Sequence, residues 1–327
     1  MINHAAVVDW LLEDNNPAIK FRTMTEILNK PFNDNEAHDT YKLIWQQKDI
    51  QKMLSKQNEN GIWESSDYGV HTSMRYLTAL AENGLRNDKR IDNFIDFTVD
   101  FLNKKENSTG TQGYDGCSNA LVLRAIIMLG YHERSDVQLL INNYIASQLY
   151  DGGFMCKRLL DKKPGRKSCY KASVAGLLLY ASCKQKGIVF KNTGNLTEYF
   201  LKRDVFYTSD KSNLLADGKE GWRYIDNFFP VESMRIGLPL IVSSLSILGA
   251  GKAKGTERAW DLLMSKKSNE GKLILDGTLS KQPFSFGKVG QANKWLTFYM
   301  LLSEKYNEEQ DIPPLLQVAG TDLIFER

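Results

Sequence analysis

Apolar residues along this chain recur at spacings of three and four, and almost nowhere at two. Val7, Val8, Trp10, Leu11 and Leu12 form one such stripe, and Ile19, Phe21, Met24, Ile27 and Leu28 form a second one after Asn16-Pro17. That period predicts amphipathic helices. Proline fits the first turn of the second helix, where its missing N–H has no partner to lose, and Pro31 is expected to close it. Strand signals are scarce, because no Asn-Gly or Asp-Gly pair lies between two alternating apolar runs.

Two kinds of helix alternate. The stretches 72–85, 118–131, 170–183, 234–248 and 295–306 are strongly apolar and poor in charge. Between them lie more charged ones, such as 90–102 with Asp92, Asp96 and Asp100 along one side. Uniformly apolar helices are buried, whereas striped ones face water on one side, so the pattern predicts an inner and an outer layer. A recurrent turn links them. Gln57 leads to Gly61-Ile62-Trp63 and Gln148 to Asp151-Gly152-Gly153-Phe154; weaker copies run from Phe101 to Gly113-Tyr114 and from Leu262 to Gly271-Lys272-Leu273. A glycine able to take positive φ ends each helix, and an aromatic ring pins the turn on its neighbours. The expected architecture is all-α: an (α/α) toroid of about six helix pairs with a short N-terminal helical hairpin, an open solenoid being the competing layout. The expected organisation is 1–44 as an N-terminal helical segment packed on the ring, 45–306 as the ring, and 307–327 as a tail.

The turn motifs resemble the "QW" repeats of squalene and hopene cyclases and the repeats of protein prenyltransferase β-subunits. The stretch from Trp10 to Thr23, the run Asp151 to Cys156 with Ser168-Cys169, and Val289-Gly290 through Trp295-Leu296-Thr297 look like uncharacterised bacterial proteins carrying prenyltransferase or squalene-oxidase repeats. The resemblance implies a toroid with a central cavity for an isoprenoid or other apolar small molecule. It does not carry the cyclase or transferase chemistry over residue by residue. The Asp-x-Asp-Asp acid motif is absent, as is an Asp-Asp-x-x-Asp magnesium motif. Of the prenyltransferase zinc ligands only the Cys-Tyr pair is matched, by Cys169-Tyr170. Lys167 stands in the place of the aspartate, and Gln291-Ala292-Asn293-Lys294-Trp295 holds no histidine.

Composition narrows the field further. The chain has 327 residues, 42% of them hydrophobic and 25% charged, an ordinary globular balance. Forty-two Lys+Arg against 39 Asp+Glu leave only +3, dispersed along the chain, which argues against a nucleic-acid partner. No apolar run reaches the roughly 18 residues of a membrane helix, and Asp9, Glu13 and Asp14 interrupt the first one, unlike a signal peptide. A cytoplasmic location with reduced cysteines is expected.

Four groups of residues carry candidate chemistry. His71, Cys117, Cys156 and Cys169 fall at or near the starts of inner helices, on one rim of the expected toroid, where they would bind zinc or form a reactive thiol cluster with Cys117 and Cys169 as catalytic thiols. The competing reading is packing, which is also the expectation for Cys183. Tyr68, Tyr114, Tyr170, Trp222 and Trp295 would line a cavity for an apolar chain or belong to the core. Arg75, Arg124 and Arg235, with Lys171 and Lys294, sit on apolar helices; they would hold an anionic head group or pair with carboxylates such as Glu82. Glu232 and Asp115, with Asp67, are the carboxylates a carbohydrate-active toroid would need. A non-catalytic toroid that binds a lipid or a protein is the further alternative.

Overall fold

The computed structural model describes residues 4–63, 72–103, 116–156, 165–215, 224–232 and 235–310. The described chain is all-α. Its only β-type pairings are isolated bridges. The N-terminal elements are α1 (His4–Leu11), α2 (Pro17–Arg22), α3 (Asn35–Gln46) and α4 (Lys48–Leu54). Asn16 starts α2 as expected, its Oδ1 accepting the Ile19 N–H at 3.1 Å. The helix does not run on regularly to Leu28; it passes into a π-helical turn, Thr23–Ile27.

The inner layer consists of α5 (Thr72–Glu82), α7 (Gly116–Met128), α9 (Tyr170–Gln185), α11 (Leu238–Ile247) and α13 (Lys294–Glu309). The outer layer consists of α6 (Lys89–Asn103), α8 (Ser135–Ala146), α10 (Thr193–Leu201) and α12 (Glu257–Ser265). Burial follows the sequence pattern: every residue of α11 is buried, whereas α6 buries one stripe, Ile91, Phe94, Ile95, Thr98 and Val99. The Asp92, Asp96 and Asp100 side lies outward, with Asp92 accepting from the Tyr131 hydroxyl at 2.6 Å.

Inner helices pack on their neighbours in chain order, α5 on α7, α7 on α9, α9 on α11 and α11 on α13. The last of these helices and the segment before it also contact the first. Tyr299 of α13 donates to Glu82 of α5 at 2.5 Å, and a guanidinium N–H of Arg75, in the first turn of α5, donates to the Lys281 carbonyl in the segment between α12 and α13. The N-terminal segment joins the same contacts, since Arg22 at the end of α2 also meets Glu82 at 3.1 Å.

Glycine ends the inner helices as the sequence predicts. At Gly84 (φ 73°) and Gly249 (φ 91°) the chain enters the left-handed region, and paired bonds such as Ala250 N–H to Leu245 O at 2.8 Å satisfy the last carbonyls. The inter-helix turn recurs with one hydrogen-bond plan. Asn58 donates to Ile62 O (2.9 Å), Leu149 to Gly153 O (2.9 Å) and Ser268 to Lys272 O (2.8 Å). The two glutamines clamp it, Gln57 to Gly61 O at 3.0 Å and Gln148 to Gly152 O at 2.8 Å. Trp63 then stacks on Tyr76 and Phe154 on Tyr144, each at 4.6 Å. The copy at Gly113-Tyr114 lies outside the described residues. A further turn, absent from the sequence reading, joins Tyr207 to Leu214 with Lys211 rather than glycine at positive φ (59°).

Candidate functional site at the starts of the inner helices

The turns deliver the chain to the inner helices in a repeated way. Cys169 N–H donates to Phe154 O at 2.7 Å, and Asn293 N–H donates to Leu273 O at 2.8 Å. One turn into each helix a hydroxyl accepts from the preceding turn, Ser173 Oγ from Phe154 N–H at 2.9 Å and Thr297 Oγ1 from Leu273 N–H at 3.0 Å. Cys169 and Asn293 are therefore equivalent positions, both helix N-caps. Asn293 caps α13 by accepting the Leu296 N–H at 3.0 Å, whereas the Cys169 side chain makes no capping bond to α9. A thiol stands where the same fold elsewhere places a capping amide.

Thiols and phenols gather around it. Cys117 lies in the first turn of α7, and Cys156 two residues beyond Phe154. Burial, then the nearness of Cys117, Tyr180, Cys156 and Cys169, pushes the Tyr144 phenol well above its ordinary value. Burial, then Cys169 and Cys117, does the same for Tyr224. Tyr224 in turn packs edge-on to Tyr170, 4.7 Å between centroids. Cys117, Cys156 and Cys169 all act on the Tyr144 phenol.

Aromatic rings continue the circuit toward α13. Phe229, Phe284, Phe286 and Trp295 pack against one another with centroids 5.1–6.1 Å apart, and Phe229 lies 6.1 Å from Tyr299. Arg235, three residues ahead of α11, places its guanidinium over Phe228 at 4.9 Å. At the starts of the inner helices several buried polar atoms find no hydrogen-bond partner among the described residues: Arg75 Nε, Asn119 Oδ1, Tyr224 Oη, Arg235 Nε and Trp295 Nε1. All lie on or just ahead of the first turns of inner helices, or, for Tyr224, against the first residue of α9. Each such group costs about 1–3 kcal/mol if nothing satisfies it, and others of the kind lie elsewhere in the described chain, on Asn83, Ser246 and Asn307 among them.

The sequence-predicted residues divide into three sets. Tyr68, His71, Tyr114, Asp115 and Trp222 lie outside the described residues, as does Asp67. Arg75, Arg235, Tyr170, Trp295, Cys117, Cys156 and Cys169 belong to the level just described. Tyr170 is buried there, its hydroxyl donating to Val205 O at 2.8 Å. Glu232 is half-buried and exchanges backbone bonds with Arg235, at 2.9 and 3.0 Å.

Arg124 needs correction as a cavity residue, because it pairs with Glu82 at 2.7 Å and is 4% exposed. Lys294, itself buried, likewise bonds elsewhere, to Glu13 at 3.0 Å and Asn15 at 2.8 Å. Among the described residues no three His, Cys, Asp or Glu side chains are grouped to hold a metal. Cys117, Cys156 and Cys169 accordingly do not form the expected zinc set by themselves. Cys183 is fully buried, and burial raises its thiol pKa, in keeping with a packing role.

Several residues of this level escaped the sequence reading. Tyr144 sits on an outer helix, Asn119 is an unremarked polar residue in an apolar stretch, and Tyr224, Phe228 and Phe229 follow no repeat.

In comparisons with known proteins, no family model, no curated protein and no solved structure matches the chain.

Proposed function

We propose that the chain is an (α/α) toroid that binds an apolar small molecule of isoprenoid type at the face where its inner helices start. The observation that carries this reading is the set of buried polar atoms at the inner-helix starts that find no partner among the described residues, with aromatic rings at the same level. Four of the five, on Arg75, Arg235, Tyr224 and Trp295, can donate a hydrogen bond and so suit a ligand whose oxygen-bearing head complements them. The rings supply the apolar wall that ligand pockets use, with a few polar groups fixing orientation. Contact between the two ends of the inner row through Arg75 and Tyr299 supports the toroid over a solenoid.

Cys169 is the residue through which this binding would become catalysis. An unbridged thiol at a helix N-terminus, half-exposed and uncommitted to capping, is placed for nucleophilic or transfer chemistry.

Two measurements test the binding. Protein purified without detergent is extracted into organic solvent and its retained lipids are identified by mass spectrometry. In parallel, farnesol and farnesyl diphosphate are titrated while thermal stability is recorded. A Tyr224→Phe variant, which deletes a buried orphan hydroxyl, is expected to melt higher than the parent without ligand and to gain less from farnesyl diphosphate. A lower ligand-free melting temperature in the variant, with an unchanged ligand response, would overturn the proposal.

A further inference from the structure

The opposite ends of the inner helices hold a second, chemically different recess. Its volume is about 260 Å³, and it lies where α5, α7 and α9 end beside the π-helical turn and α13. Four cations line it, Arg22, Arg86, Lys186 and Lys305, with one carboxylate, Glu26.

That carboxylate is already engaged, because Arg22 holds it with two bonds, 2.6 and 3.1 Å. Lys305 is held at the edge by the Glu26 carbonyl at 2.7 Å and Asn29 Oδ1 at 2.5 Å. Arg86 lies over the Phe32 ring at 4.0 Å, and among the described residues no carboxylate pairs with it or with Lys186. Two cations thus face one small recess whose one carboxylate, Glu26, is bonded to a third cation, Arg22.

Cations near helix C-termini are common because they offset the partial negative charge of the last carbonyls. Such compensation would favour the charged form of Lys186. Its pKa is instead lowered, first by desolvation and then by Arg86, against the pull of Glu26 and with Arg22 adding less.

We propose that this recess binds a small tetrahedral oxyanion of the phosphate or phosphomonoester class. The planar fork of Arg86 suits two oxygens of such a group, and the Lys186 ammonium supplies a point charge beside it. The helix ends themselves repel an anion, so the site depends on its cations and fails when they are neutralised. It shares no residue with the aromatic face and stands whether or not that face binds an isoprenoid.

The test is calorimetric titration of the full chain with inorganic phosphate and with glycerol phosphate, at low ionic strength and again at matched chloride. Saturable 1:1 binding is expected, weakened at least tenfold in Arg86→Gln/Lys186→Gln. Both side chains reach solvent, and the melting temperature of the variant checks that it folds. Tighter binding of glycerol phosphate than of phosphate would assign an ester as the ligand, and the reverse order the free ion. No saturable binding by the parent, or equal binding by the double variant, would overturn the proposal.

Discussion

Glu82 is fully buried and accepts from three side chains: Arg124 at 2.7 Å, Arg22 at 3.1 Å and Tyr299 at 2.5 Å. Burial alone would raise its pKa, but the Arg124 and then the Arg22 guanidinium outweigh that, with help from Tyr299, and hold the carboxyl below its ordinary value. Burial pushes the Tyr299 phenol up to about 12, so it remains a donor near neutrality. Glu82→Gln takes from the buried Arg124 the carboxylate it pairs with, leaving Arg22 with Glu26, and is expected to cost about 3–5 kcal/mol, measured by urea unfolding. Because the folded pKa is depressed, the carboxylate's contribution is present above the ordinary glutamate range near pH 4.5 and is lost as pH falls through the lower folded value. The variant should therefore show a shallower loss of stability than the parent in melts below that range. The Arg124–Glu82 pair was legible in the sequence as two charges on apolar helices. Arg22 was not, since it sits in an ordinary amphipathic stretch, and Tyr299 looked like any other core aromatic.

At the scale of elements, the turns explain both what the sequence revealed and what it hid. Gln57 and Gln148 were readable because an amide that reaches a carbonyl four residues on, before a glycine and an aromatic ring, leaves a fixed spacing. The turn from Tyr207 to Leu214 was not readable. Its left-handed residue is Lys211, and the bend is held by side chains, Asp210 accepting from Ser212 Oγ at 2.7 Å. Glycine is needed more at some turns than at others. Gly152 has φ 85°, and a Cβ there would meet Asn195 O at 2.2 Å, whereas Gly187, at φ 76°, has nothing within 4 Å. Gly187→Ala is expected to cost only the backbone penalty of about 1–2 kcal/mol, and Gly152→Ala clearly more, a ranking that thermal melts of the two variants will check. Cys169→Asn copies the cap that Asn293 gives α13 and should add about 0.5–2 kcal/mol by the same measurement, while removing the thiol proposed for chemistry.

The whole molecule was legible in class and layering, because uniformly apolar and striped helices alternate. The contacts between the first and last inner helices were not, because they join residues far apart in the chain, such as Arg75 with Lys281 and Glu82 with Tyr299, in stretches whose own pattern is unremarkable. Clefts also lie outside the row. One of about 740 Å³, beside Ile141, Ile145 and Phe190, runs between α8 and the segment that follows α9. No described helix is long and apolar enough to cross a membrane. The single carboxylate at Glu82 has a consequence for how the chain is made. Tyr299, its donor at 2.5 Å, lies 217 residues further along the chain. At ribosomal speeds of about 5–20 residues per second, the nascent chain waits roughly 10–40 s between emitting that acid and emitting the helix that completes its cage. Throughout that interval the early helices have an unfinished seam, and a chaperone that recognises unsealed surface would have its opportunity there, before synthesis reaches the last turn of α13.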